Sequence, residues 1–258
     1  MVHPKKHLGQ HFLKDKETAK KIVDALKGHG GYQTLLEVGP GVGILTEQLL
    51  SLHYDLIMVE LDREAAAYLR KRFNPDNDRL LEMDFLKYDI SGMKDEGCGI
   101  IGNFPYNISS QIFFKVFENH ETVREVVCMV QEEVARRIAS PPGNRVCGIL
   151  SIFIQLYYNV EYLFQVPPEV FNPPPKVNSG VIRLTRNDRK GLECDAGLFK
   201  SIVKQGFQNR RKTLKNALKP LHLPGQITDH PFMQSRAEQL GPDDYVLLSK
   251  LVEKSWSK

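Results

Sequence analysis

Thr34-Leu35-Leu36-Glu37-Val38-Gly39-Pro40-Gly41-Val42-Gly43-Ile44-Leu45 is the stretch that decides the fold. A short apolar run is followed by three glycines at alternate positions, then by helical spacing over residues 44–52. Strand, tight turn and helix in that order open a βαβ unit. The glycines let the backbone turn sharply and approach a ligand closely. Nineteen residues past Gly41, Glu60 ends the next apolar run, Asp55–Glu60. A carboxylate there is placed to accept hydrogen bonds from two ribose hydroxyls. The alternative is a Gly-rich turn with a purely structural role. A dinucleotide fingerprint needs its third glycine where this chain has Ile44, which disfavours a nicotinamide oxidoreductase.

Further β-like runs follow at 80–83, 99–103, 125–131, 157–166 and 179–185, with helical periodicity between them at Arg63–Phe73 and Ser109–Glu118. This alternation predicts an α/β, Rossmann-like domain with a parallel sheet covered by helices on both faces. After Arg186 the pattern changes. Residues 187–197 are polar and read as a linker. From Leu198 only helical periodicity remains, with a last helix over 243–254. The expected division is residues 1–187, an α/β domain, and 188–258, a small all-helical domain.

Asn103-Phe104-Pro105-Tyr106 follows the fourth strand candidate, at the sheet edge where ligands of such folds sit. The G-x-G-x-G turn is the form used for S-adenosylmethionine, which has no pyrophosphate to cradle. With that cofactor, the tetrapeptide suits methylation of an exocyclic amine. The Asn103 side-chain oxygen and the Pro105 carbonyl can accept the hydrogens of adenine N6 and aim its lone pair at the methyl group. Alignment and oriented dipoles then carry the catalysis, with no metal and no strong base. Tyr106 can stack on a flipped base, a contact worth about 1–3 kcal/mol. The same four residues also read as a tight turn with an aromatic plug. Met83-Asp84-Phe85 is similarly double: Asp84 either accepts the adenine amino group beside a packed Phe85, or caps a helix.

Composition bounds the rest. At 258 residues, 41% hydrophobic and 26% charged, the chain can bury a sizeable core without disulfides or metal. No apolar run reaches the ~18 residues of a membrane span, and residues 1–13 lack a signal-peptide apolar segment, so a cytoplasmic protein is expected. Cys98, Cys128, Cys147 and Cys194 form no C-x-x-C pair and read as free thiols. No Pro-Cys motif stands beside the cofactor loop, which argues against a cysteine-dependent pyrimidine C5-methyltransferase. Residues 200–258 hold eleven Lys/Arg against five Asp/Glu in a chain of net charge +4, leaving −2 for the remainder. Residues 200–219 alone hold seven Lys/Arg and no acid. That suits a phosphate-binding face; a solvated basic helix is the alternative.

Five blocks, in order, resemble the rRNA adenine N6-dimethyltransferases. Lys6-His7-Leu8-Gly9-Gln10-His11-Phe12-Leu13 resembles their G-Q-N-F-L motif, E-V-G-P-G-V-G their cofactor loop, and N-F-P-Y-N their N-L-P-Y-N loop. Residues 166–177, V-P-P-E-V-F-N-P-P-P-K-V, resemble their proline-rich signature, and residues 205–218 the basic helix of the housekeeping, small-subunit branch known as KsgA. The resemblance implies S-adenosylmethionine as methyl donor, held by His11, Leu13, Gly39, Gly41, Glu60, Asp84, Phe85 and Asn103. It implies catalysis by Asn103, Pro105 and Tyr106, with Phe171 closing the base pocket opposite Tyr106. The substrate it implies is two adjacent adenosines near the 3′ end of 16S rRNA in a pre-30S particle, bound by a monomer. Lys5, Lys6, Arg136, Arg137, Arg210, Arg211, Lys212 and Lys215 are the candidate RNA contacts. His11 stands where the family has Asn, and Phe104 where it has Leu. The rivals are the antibiotic-resistance branch acting on large-subunit rRNA, and a binding protein that keeps the fold without the chemistry.

Overall fold

The apolar runs become strands because both of their faces are covered. In the computed structural model, which describes residues 2–256, β2 (Thr34–Val38) is buried from Leu35 onward. β5 (Cys98–Asn103) is buried up to Gly102, and β6 (Val123–Gln131) everywhere except Arg124 and Gln131. A strand without a solvent face reads as a continuous apolar run rather than an alternation. With β3 (Asp55–Glu60), β4 (Leu80–Glu82), β7 (Tyr158–Val166) and β9 (Ser179–Arg186), they form one sheet in the order β4-β3-β2-β5-β6-β9-β7.

The five strands from β4 to β6 are parallel. The expectation of a parallel sheet fails at the other edge, where β9 runs antiparallel to both β6 and β7. The reason lies in residues 167–178 between β7 and β9. They contain five prolines and no α-helix, so there is no helical crossover to carry the chain back to a parallel start.

Helix ends follow their caps. α3 (Arg63–Phe73) begins where Glu64 N–H donates to Asp62 and stops at left-handed Asn74. α1 (Lys16–Val23) is capped by Asp15, which accepts from Thr18 N–H, and buries Ala19, Ile22 and Val23. α2 (Ile44–Leu49) and α4 (Ser109–Glu118) follow β2 and β5. A two-stranded ribbon went unread in the sequence: β1 (Phe12–Leu13) pairs antiparallel with β8 (Phe171–Asn172). Two residues are too few to show a period.

The chain divides into two compact units, Met1–Arg136 with Tyr158–Arg186, and Arg137–Tyr157 with Asn187–Lys258. The division differs from one drawn at residue 187 in the segment Arg137–Tyr157. There α6 (Ile149–Tyr157) buries seven of its nine residues. A helix apolar nearly all round belongs inside a core. It packs with α7 (Ala196–Gln208) and α10 (Pro242–Trp256), Phe153 meeting Phe199 edge-on at 5.9 Å.

The basic run is not one helix. α7 ends at Gln208 and α8 (Leu214–Ala217) starts afresh. Residues 209–213 turn between them because Thr213 bridges to Arg236 and Leu214 N–H donates to the Ser235 carbonyl. Tertiary pairing thus takes the backbone groups that a continuous helix would need. Among the described residues, no helix is long and apolar enough to cross a membrane.

Candidate active site

The strand order reverses between β2 and β5, and their C-terminal ends form the edge where α/β sheets bind ligands. The two ends press together: a Cβ on Gly102 would stand 2.5 Å from the Val38 carbonyl oxygen. The glycines of the following loop have separate tasks. Gly41 has φ +60, and a Cβ there would strike the Phe12 ring at 2.9 Å, so it lets the N-terminal segment close over the loop. Gly43 opens α2 with φ +78, and a Cβ would meet Phe73 at 2.4 Å, so it serves the packing of α3.

A cavity opens above this loop. His11, Gly39, Gly41, Glu60, Asp84, Phe85, Asn103, Pro105 and Tyr106, all named from the sequence, line it. Leu13 and Phe171 do not. They are 3% and 1% exposed, face each other in the β1–β8 ribbon, and belong to the hydrophobic core.

Glu60 is buried, and its two oxygens accept the N–H groups of Gly41 and Asp62, each at 2.9 Å. Burial pushes its carboxyl above the usual range, against those bonds. Asp84 is both a cap and a lining residue. One oxygen caps the turn by accepting Leu86 N–H at 2.9 Å, and the residue still faces the cavity. Lys115, from α4, donates to the Leu86 carbonyl and steadies this turn.

Sequence reasoning missed Glu37. It is 1% exposed in mid-strand, and burial pushes its carboxyl up to about 8. Oε2 accepts from the Thr46 hydroxyl at 2.7 Å, while Oε1 has no hydrogen-bond partner among the described residues. The signal was present as an acid inside an otherwise apolar strand, since such a buried acid needs a reason.

These features fit a cationic nucleoside such as S-adenosylmethionine. Leu61, Met83 and Phe85 offer apolar cover for a flat base, Glu60 and Asp84 offer acceptors, and the orphaned Glu37 oxygen lies under the same loop, where a positive group would stabilise its ionised form.

On the β5 side, the Asn103 amide donates to the His11 carbonyl at 2.9 Å, which fixes the amide's orientation and leaves Oδ1 without a partner among the described residues. The Pro105 carbonyl accepts Ile108 N–H at 3.1 Å and retains a second lone pair. Phe104 is fully buried, edge-on to Phe113 at 6.0 Å, so its departure from the family's Leu is absorbed in the core. The Tyr106 hydroxyl bonds Ser179 Oγ at 2.6 Å, and burial raises its pKa. His11 stacks on the Tyr106 ring at 5.4 Å and donates from Nδ1 to the Pro173 carbonyl at 2.8 Å. A carbonyl only accepts, so the imidazole proton sits on Nδ1.

The basic candidates separate on inspection. The Lys5 ammonium lies 2.6 Å from Asp62 and 3.5 Å from Glu64. Arg136 pairs with Glu132 and covers the Tyr162 ring, and the side chain of Arg137 lies against Gly148. Arg210 donates to the carbonyls of Arg145 and Cys147, both at 2.7 Å, and Lys215 reaches Asp229 at 3.5 Å. Arg211 and Lys212 are exposed on the turn with no acidic partner among the described residues. The side chain of Lys6 lies outside the described residues.

Comparison with known proteins gives the family. The family of ribosomal RNA adenine dimethylases matches residues 1–254. The ribosomal RNA small subunit methyltransferase A of Cytophaga hutchinsonii is 48% identical over 252 residues, covering 97% of this chain and 98% of that one. Its counterpart from Porphyromonas gingivalis is 49% identical over 257 residues, covering 98% of each. Among solved structures, a dimethyladenosine transferase from Plasmodium falciparum superposes with a TM-score of 0.79 at 24% identity, covering 95% of this chain and 98% of the other. The 23S rRNA methyltransferase ErmE gives 0.68 at 22%, covering 94% and 99%. These two likenesses speak for the Rossmann-like methyltransferase fold. With its family's sequence running through nearly its whole length, the chain belongs to the ribosomal RNA adenine dimethylases, enzymes that use S-adenosylmethionine to dimethylate adenine in rRNA.

Proposed function

We propose that the substrate is a pair of adjacent adenosines near the 3′ end of 16S rRNA, each dimethylated at N6 within a small-subunit precursor in the cytoplasm, and that the enzyme acts as a monomer. The names of the two bacterial relatives support the small subunit. The observation that carries the chemistry is the fixed orientation of Asn103. Its amide is held by the His11 carbonyl, so its oxygen is the atom left to receive an N6 hydrogen.

The bound cofactor supplies a methyl group on a sulfonium, a leaving group that needs no protonation. Glu60 would hold the ribose hydroxyls and Asp84 the adenine amine. Asn103 Oδ1 and the free lone pair of the Pro105 carbonyl would accept the two N6 hydrogens of the target, drawing its lone pair out of the ring. Tyr106 would pack against the flipped base, its hydroxyl anchored by Ser179 so that the ring keeps its place. The target nitrogen, once methylated, carries an acidic proton that leaves to solvent. Arg211 and Lys212 are the residues we assign to the RNA backbone in the C-terminal unit.

Labelled S-adenosylmethionine with 30S particles lacking the modification, followed by nuclease digestion and nucleoside mass analysis, tests this. Dimethyladenosine from 30S particles and none from 50S is the expected result. Label in 50S RNA would move the substrate to the large subunit, and label in neither would remove Asn103 and Tyr106 from the chemistry.

A further inference from the structure

One buried carboxylate that the chemistry above leaves unused sits at the centre of a hydrogen-bond network. Asp62 is 2% exposed and stands two residues beyond Glu60. Lys5 Nζ donates to its Oδ1 at 2.6 Å, Gln10 Nε2 donates to its Oδ2 at 3.0 Å, and the Gln10 side-chain oxygen accepts Lys5 N–H at 2.8 Å. The Asp62 N–H donates in turn to Glu60. Two side chains separated by four residues thus converge on one acid that is directly bonded to the carboxylate assigned to the cofactor ribose.

The same N-terminal segment is fastened at its other side to the catalytic loop. At Gly9 it passes so close that a Cβ would stand 2.7 Å from Asn107 Oδ1. The His11 carbonyl holds Asn103, and its imidazole covers Tyr106. Between these two anchorages, Leu8 to Phe12 line the cavity itself. A segment with only a three-residue 3-10 turn and a two-residue strand has little backbone bonding of its own, so its position over the cavity depends on these side-chain bonds.

We infer that Lys5 and Gln10 are positioning residues for the cofactor. Through Asp62 they strap residues 5–13 across the cavity, and Lys5 serves the cofactor site rather than RNA phosphate. This rests on reading the cavity as the S-adenosylmethionine site. A charge-assisted bond to a buried carboxylate is strong enough to matter here, because losing Lys5 leaves the acid without its counter-ion. Its loss loosens the segment on its Asp62 side, so the bound cofactor escapes sooner, while the His11 anchorage to Asn103 on β5 stays in place.

The test compares wild type with Lys5→Met, Lys5→Arg and Gln10→Ala. Calorimetric titration with S-adenosylhomocysteine, hydrogen–deuterium exchange over residues 5–13, and steady-state kinetics would be measured, with thermal melts confirming that each variant folds. Expected for Lys5→Met is a Kd raised about tenfold, KM for the methyl donor raised in parallel, kcat at saturation retained, and faster exchange over 5–13. Gln10→Ala should shift in the same direction by less, and Lys5→Arg should restore affinity. Unchanged Kd and exchange in Lys5→Met, with the salt dependence of RNA binding weakened by about one phosphate contact, would overturn the inference and return Lys5 to the RNA. Failure of wild type itself to bind S-adenosylhomocysteine would overturn both the reading of the cavity and the strap built on it.

Discussion

The floor and the cover of the cavity are built differently. The floor, from Gly39 to Gly43 with Glu60, hangs on parallel strands whose backbone bonds place each residue, and Gly39 N–H continues the ladder by donating to the Val59 carbonyl. The cover, residues 5–13, is held by side-chain bonds that reach 52 to 162 positions along the chain. What a floor residue does follows from its local sequence. What a cover residue does follows from a partner that no local pattern reveals. The comparison predicts that damage to the floor and to β5 reaches chemistry and cofactor strongly, and that damage to the cover's anchorage on Asp62, away from His11, changes affinity alone.

The largest effect should come from Asn103→Ala, which removes the acceptor aimed at N6. Turnover at saturating cofactor and RNA should fall about 10²–10³-fold, the usual cost of losing one oriented group of this kind. Because the same side chain fastens the His11 carbonyl, cofactor affinity should weaken as well, and single-turnover rates would separate the two losses. A variant that lost only affinity would place Asn103 with the cover rather than with the chemistry. Glu60→Gln comes next. It removes a charged acceptor from the floor, and calorimetry should show cofactor affinity reduced about 10–100-fold, in keeping with bonds to a charged group.

Glu37 sharpens the comparison from inside the floor. Its carboxyl is pushed up to about 8 by burial, with the nearby Glu60 charge adding to the effect, so it keeps its proton in the folded protein at neutral pH. The unfolded chain gives that proton up above about pH 4.5. The stability of the ligand-free protein on this account is full below about 4.5 and drains away as pH rises to about 8. Glu37→Gln, neutral throughout, should flatten that fall by several degrees in melting temperature between about pH 5 and pH 8, leaving the share of Glu60 and the opposing share of His120, whose pKa burial lowers. Parallel melting curves would mean that Glu37 is ionised in the fold and already paired.

The legibility of the molecule divides along the same line. Every strand of the main sheet was readable, because central strands covered on both faces are apolar runs and glycines punctuate them. The antiparallel edge was not, because periodicity carries no direction; only the proline-filled connection at 167–178 hints at it. α6 was unread because an all-round apolar helix shows no amphipathic face. In the site, Gly39, Glu60, Asp84 and Asn103 follow from motif and strand order. Leu13 and Phe171 came from resemblance and lie in the core of the ligand-free protein. Lys5 and Arg210 read as RNA contacts because charge is visible in sequence and the partners that engage it, a carboxylate for one and two carbonyls for the other, are not.

That last distinction gives the smallest expected effect and a direct contrast between neighbours. Arg210 and Arg211 are adjacent and chemically identical, yet Arg210 has a guanidinium nitrogen committed to the carbonyls of Arg145 and Cys147, whereas Arg211 and Lys212 point outward from the turn. A phosphate contact releases counterions, and each one contributes about 0.7–0.9 to the slope of log K against log salt. Arg211→Ala with Lys212→Ala should therefore lower the slope for 16S rRNA fragments by about 1.4–1.8 and leave the melting temperature nearly unchanged. Arg210→Ala should do the reverse, lowering the melting temperature by a few degrees as two carbonyl bonds, one exposed and one half-buried, are lost, with little change in slope. If Arg210→Ala instead flattened the salt dependence as much as its neighbours, its bonds to the 145–147 turn would have to open on binding RNA. The division between engaged and free charges would then describe only the protein at rest.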